Sequence, residues 1–276
     1  MRGFFKALLP TFRYWMQTEV HVFAFSAAAN LLLSFFPFLI VMMSLLRLVF
    51  NEQTTIASVD TALRDFFPQS FTAFLYTPGQ HENLPVIHKS TQLFSIVLLL
   101  FTANGIFEPL EVALNHVWGV RVNRSFFRNQ LVSLALIFTC GGLALLSMLL
   151  TGIHHTTTAW MNGFGDWIPV LFFKFAAMMV TVIMLFLVYY FLPNFRPPRN
   201  GAIASAIVIG ILMEGLKYAS KLVWPSFMIK LENEYGVFKY SVTLVFLGFF
   251  ASMLFLAGAE WSARGHRADL KENAHV

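Results

Sequence analysis

The sequence predicts an all-α fold: a polytopic membrane helix bundle of about six transmembrane helices with an amphipathic helical extracytoplasmic cap. Three observations lead there. Of 276 residues, 57% are hydrophobic and only 12% are charged, whereas a soluble domain carries about 25% charged residues. The apolar residues gather in runs near the ~20 that a helix needs to cross a bilayer. Between those runs, basic residues collect in alternate connections, the bias that sets membrane topology.

The elements follow in order. Residues 1–20 mix Phe4, Phe5, Leu8, Leu9, Phe12 and Trp15 with Arg2, Lys6 and Arg13, the composition of a basic amphipathic helix on the cytoplasmic face. The membrane domain is expected at 21–262, with spans near 22–48, 91–114, 131–153, 167–192, 201–224 and 240–260. The first apolar run, Val22 to Leu46, is uncharged and longer than the apolar region of a signal peptide, so it is expected to stay as an anchor. Its Ala27–Ala28–Ala29–Asn30 stretch invites close helix approach, and Pro37 should kink it. The segment 51–90 spreads Asn51, Glu52, Asp60, Arg64, Asp65, Glu82 and Lys89 among aromatic residues, broken by Pro68, Pro78 and Pro85. It reads as short amphipathic helices capping the outer face. Gly141 and Gly142 mark the middle of the third span. Residues 263–276 form a polar cytoplasmic tail.

Orientation follows from the basic residues. With the N-terminus inside, Arg2, Lys6, Arg13, Arg121, Arg124, Arg128, Arg196, Arg199, Arg264, Arg267 and Lys271 are cytoplasmic. Only Arg64, Lys89, Lys230 and Lys239 lie in outer segments. Both termini are therefore expected inside. Cys140 is the only cysteine, so neither an internal disulfide nor a cysteine metal cluster can form. The net charge of +5 is explained by topology and anionic headgroups, and no nucleic-acid partner is expected.

Several strings resemble the YihY/BrkB family of bacterial inner-membrane proteins, often mislabelled ribonuclease BN. They are AFSAAANLLLSFFPFLI (24–40), EPLEVALNHVWGV (108–120), YYFLPNFRPPRNGAIASA (189–206), Tyr235–Gly236 and LAGAEW (256–261). One departure stands at Gly248, Phe249 and Phe250, where relatives often carry tryptophan. The resemblance implies an envelope protein, with links in some members to lipid or lipopolysaccharide handling.

Charges inside spans are the sharpest candidates, since each costs about 2.5–3.5 kcal/mol on insertion scales. Glu214, Lys217 and Lys221 share one side of the fifth span, and Lys174 and Arg47 fall near the same outer side. One reading is an outward polar cavity for an anionic headgroup. The other is a Glu–Lys pair with lysines reaching the interface. Near the inner ends lie Glu108, Glu111 and Glu260 with Arg121, Arg124 and Arg128, either a salt-bridged rim or the seat of a proton-coupling carboxylate. Asn30, Ser34, Asn104 and Asn115 offer interhelical hydrogen bonds. The eight histidines form no ligand pattern, and no P-loop or dinucleotide fingerprint occurs. The expectation is no cofactor, no metal and no enzyme activity.

Two functions compete: a transporter or translocation factor for lipids or other anionic amphiphiles, and a non-transporting scaffold with a homo-oligomeric or envelope-protein partner. A membrane-embedded ribonuclease ranks last, for want of clustered nucleophiles. Lipids, mostly anionic, are the expected partners.

Overall fold

The structure is a computed structural model that describes residues 2–66, 89–120, 124–158 and 167–273. The described helices are α1 (Arg2–Trp15), α2 (Thr18–Leu46), α3 (Glu52–Phe66), α4 (Lys89–Trp118), α5 (Phe126–Thr158), α6 (Trp167–Phe191), α7 (Arg199–Tyr235) and α8 (Lys239–Asn273), with a 3₁₀ turn at Gly236–Phe238. No strand occurs among the described residues. In hydrocarbon every backbone N–H and C=O must be satisfied within the protein, and a helix does this alone.

Five of these helices are long and apolar enough to cross a membrane among the described residues: α2, α5, α6, α7 and α8. The helix α4, which covers the span expected at 91–114, is not among the five, yet α2 packs more extensively on α4 than on any other element, with α8 next. The helix α2 is therefore the central post. Its Ala24, Ala27 and Ala28 are buried, and a Cβ placed at Gly248 of α8 would meet that of Ala28 at 3.3 Å. Small side chains at both surfaces bring the two backbones together, which is how helices associate where apolar burial gives no advantage over lipid.

Neighbours around the post follow chain order, with α5 on α6, α6 on α7 and α7 on α8. Large apolar side chains point away from the bundle: Phe101, Phe127 and Leu222 are each at least 80% exposed. A water-facing surface does not carry such patches, whereas a lipid-facing one does.

The packed interior has two ends. At the α1 end a cluster joins Val20 and Ala24 of α2, Leu110 to Val117 of α4, Leu136 and Cys140 of α5, Val188 and Tyr189 of α6 with Leu192 just beyond it, Ala202 to Ile209 of α7, and Met253 to Ala263 of α8. At the α3 end Phe35 to Leu46 of α2 pack with Val59 and Leu63 of α3, Met148 of α5 and Leu244 of α8. The amphipathic α3 thus buries its apolar side against α2 and α5. The rest of the expected cap, 67–88, lies outside the described residues.

Pro37 is accommodated inside α2, where its missing N–H removes one bond of the ladder. Ser34, buried three residues earlier, donates its hydroxyl to the carbonyl oxygen of Asn30 at 2.8 Å. The Asn30 amide donates to the Ser26 carbonyl oxygen at 3.0 Å, and its Oδ1 occupies the space where Gly105 of α4 lacks a side chain. Gly141 and Gly142, by contrast, touch no neighbouring helix among the described residues.

Candidate functional site

The amphipathic first helix packs on α8 and, to a lesser extent, on α2. Leu9, Phe12 and Met16 are exposed, suited to the headgroup boundary. The opposite side is fastened to α8. The Trp15 indole N–H donates to the Met253 carbonyl oxygen at 2.8 Å, and the Thr11 hydroxyl donates to Glu260 Oε2 at 2.7 Å. Arg264 donates to Thr11 Oγ1 at 3.2 Å and pairs with Glu260 Oε1 at 3.5 Å. Glu260, buried in the span's end, is thus held by a hydroxyl and a guanidinium, and its charge is compensated.

Between α1, α4 and α8 opens a cavity of about 400 Å³, lined by Leu9, Pro10, Arg13, Tyr14, Gln17, His116, Val117, Glu260 and Arg267. Arg13 and Arg267 are exposed at its walls, while Leu9, Pro10 and Val117 supply apolar lining. Burial first, then the carboxylates of Glu260 and Glu19, push the Tyr14 phenol well above its ordinary range, so it stays a neutral donor. His116 Nδ1 lies 3.7 Å from Glu19.

On another side of α4 sits a buried polar cluster. Glu111 and Asn115 are each more than nine-tenths buried and one helical turn apart, with the Asn115 amide reaching Glu111 Oε1 at 3.5 Å. Asn115 Oδ1 accepts from the Asn194 backbone N–H at 2.7 Å, tying α4 to the turn between α6 and α7. The side-chain amides of Asn129 and Asn194 stand beside the Glu111 carboxyl. Arg124 donates to the carbonyl oxygens of Phe191, Leu192 and Pro193, satisfying the C-terminal end of α6 and its partial negative charge. Burial pulls the Arg124 guanidinium below its ordinary value; the Glu111 carboxylate opposes this and Arg128 reinforces it.

Of the other residues of the expected inner rim, Glu108 and Arg128 are exposed, and Arg121 lies outside the described residues. The outer set divides into separate contacts. Glu214 and Lys217 form an ion pair of 2.7 Å. The Lys221 ammonium lies 6.0 Å from the Tyr218 ring centroid. Arg47 pairs across the α2–α3 junction with Glu52 at 3.5 Å, and Lys174 is exposed on α6. The structure joins Glu214 to Lys217; no contact shown here joins that pair to Arg47 or Lys174.

Sequence reasoning missed Tyr14, Gln17, His116, Asn129 and Asn194 as site residues. The available signal was the pairing of an amphipathic first helix with the polar residues that end the fourth, which no local motif announces. Among the described residues no three His, Cys, Asp or Glu side chains group closely enough to hold a metal ion.

The profile of the virulence factor BrkB family matches residues 11–275. A UPF0761 membrane protein of Aromatoleum aromaticum is 33% identical over 130 residues, covering 45% of this chain and 31% of that protein. UPF0761 membrane proteins of Chlorobium limicola and Chlorobium chlorochromatii are each 24% identical, covering 94% and 89% of this chain but only 58% and 56% of their own lengths. The chain therefore spans little more than half the length of these two relatives and less of the first. No solved structure matches it.

Proposed function

Because the chain belongs to the virulence factor BrkB family of membrane proteins, we propose that it handles an anionic amphiphile, a lipid above all, as a transporter or translocation factor of the bacterial inner membrane. The observation that carries this reading is the cavity of about 400 Å³ between α1, α4 and α8. Two exposed guanidiniums, Arg13 and Arg267, flank apolar lining from Leu9, Pro10 and Val117. That is the chemistry of a phosphate-bearing headgroup with an acyl tail: arginine meets phosphate through paired N–H donors, and apolar side chains meet hydrocarbon. The amphipathic character of α1 supports a mouth at the level of lipid headgroups.

The excess of basic residues at the α1 end supports placing it, and both termini, in the cytoplasm. There the inner leaflet is rich in anionic lipid and attracts basic segments by about 1 kcal/mol per residue. The ion pair between Glu214 and Lys217 supports a structural role for those two charges on the far half of α7.

Native mass spectrometry of the detergent-purified chain tests the reading. Anionic phospholipid should be retained above its share of the extract, and R13Q/R267Q should abolish that enrichment without loss of folded protein. Retention that merely mirrors the bulk extract, unchanged in the double variant, overturns it in favour of a scaffold that carries no lipid.

A further inference from the structure

We propose that the N-terminus of α7 is a binding site for a phosphate oxyanion, built from the backbone N–H groups of Arg199, Asn200 and Gly201, the Arg199 guanidinium and the Ser262 hydroxyl. It lies apart from the α1 cavity, whose described lining holds no residue of α7, and it stands whether or not that cavity takes a lipid. The case begins with donors. A helix leaves its first N–H groups without an intrahelical acceptor. The N-cap of α7 is Pro198, which brings no side-chain cap to them. Ala202 is the first residue of the turn whose N–H is taken, by the Pro198 carbonyl oxygen at 3.1 Å. Arg199 and Asn200 are exposed and Gly201 is half-buried, so the turn is open to a ligand.

A second group reaches the same turn from another helix. Ser262 of α8 is 8% exposed, and its hydroxyl oxygen is buried with no hydrogen-bond partner. Buried hydroxyls are ordinarily partnered, so this one calls for an acceptor. The carbonyl one turn back, that of Gly258, already accepts from Ser205 at 2.9 Å. A Cβ on Gly201 would stand 2.7 Å from Ser262 Oγ, so the hydroxyl lies against the first turn of α7, in the space that glycine leaves. The experiment must separate this donor from a serine that merely fills that space.

The charges agree. The macrodipole makes this end of the helix partly positive and favours acidic residues there, yet the first turn of α7 holds none. It holds Arg199 instead, with Arg196 three residues earlier, both exposed. The Arg199 guanidinium donates to the Tyr190 phenol oxygen, which orients it and leaves further N–H donors for an oxyanion. Glu260, two residues before Ser262, is already engaged by Thr11 and Arg264. Positive groups thus gather where a helix asks for a negative one, and a phosphate supplies it. Donors from backbone, hydroxyl and guanidinium suit its several oxygens better than the two of a carboxylate. The phosphate belongs either to a lipid headgroup or to a soluble ion, and the two arms of the test tell these apart.

The full chain in an uncharged maltoside detergent is titrated in two arms, with affinities read by calorimetry. One arm adds inorganic phosphate against chloride at matched ionic strength. The other adds phosphatidylglycerol, with diacylglycerol as the phosphate-free control. Saturable binding in the first arm assigns a soluble phosphate; binding in the second alone assigns a headgroup. In protein carrying isotope-labelled glycine, the Gly201 N–H resonance, identified by its absence from Gly201→Ala, should move with the same affinity. Ser262→Ala removes a hydroxyl that has no partner, so it should not lower the thermal midpoint of the ligand-free chain. It should nevertheless weaken phosphate binding about tenfold, the worth of one hydrogen bond to a charged group, and so should Arg199→Gln. Arg13→Gln, in the α1 cavity, should leave the Gly201 response as it is. No saturable binding in either arm overturns the proposal, and so does unchanged affinity in Ser262→Ala or in Arg199→Gln.

Discussion

At Gly258 the backbone of α8 passes so close to its neighbours that a Cβ would stand 2.6 Å from the Tyr189 hydroxyl oxygen and overlap Ile209. The crossing is stitched on either side. Tyr189 donates to the Phe255 carbonyl oxygen at 2.7 Å and its ring stacks on Phe255 with centroids 4.5 Å apart. Ser205 of α7 donates to the Gly258 carbonyl oxygen at 2.9 Å. Forcing a methyl group into such a contact costs about 1–3 kcal/mol. Gly258→Ala should therefore lower the thermal midpoint in detergent, while Gly215→Ala, with no heavy atom within 4 Å of the new methyl among the described residues, should leave it unchanged or raise it. The Glu214–Lys217 pair gives a second prediction. Its side chains are 28% and 14% exposed, so a charge deprived of this partner would be less well compensated. Glu214→Gln or Lys217→Met alone should destabilise more than the two together, and a thermal-unfolding cycle with a coupling near zero would refute the pairing.

Among the described residues, α1 is held by few bonds. Its described side chains meet α8 chiefly through Trp15, Thr11 and the Glu260–Arg264 pair, and Leu9 and Phe12 on its outer side are exposed. Elements with sparse buried contacts open locally before the rest. Thr11→Val with Trp15→Phe should speed amide exchange throughout α1 and leave that of the α8 core unchanged, as read by hydrogen–deuterium exchange. The helix α7 shows where sequence reading stopped short. Hydropathy ends near Trp224, because Lys230, Glu232 and Glu234 follow. The helix nevertheless runs to Tyr235, since Leu, Met, Lys and Glu favour helix whatever the solvent, and Pro225 does not end it. A glycine at positive φ, Gly236 (φ 53°), does; there a side chain would be strained.

For the whole molecule, the all-helical class was legible from charge scarcity and run length, because lipid imposes both on any spanning chain. Glu111 and Glu260 were legible as carboxylates near the ends of apolar spans. Their surroundings were not: Glu111 finds Asn194 and Asn129, and Glu260 finds Thr11 at the far end of the chain. Such meetings are set by tertiary packing, and no spacing rule encodes them. The charge asymmetry carries a prediction at this scale. In a Cys140→Ser background, a cysteine at Lys271 should react with a membrane-impermeant thiol reagent only in inverted vesicles, and one at Asn233 only in intact spheroplasts. The reverse pattern would invert the topology and move the α1 cavity to the other leaflet.

The 37 residues of α7 make a rod of about 55 Å, while a bilayer's hydrocarbon is about 30 Å thick. Its far stretch carries Lys230, Glu232 and Glu234, and Glu232 is bound to Lys239 across the 3₁₀ turn at 2.7 Å. Hydrocarbon cannot surround that stretch, so the bundle must stand proud of the membrane as a charged pillar on the face opposite α1. A fluorophore at Asn233 should accordingly be quenched by aqueous iodide and be blind to lipids brominated on their tails.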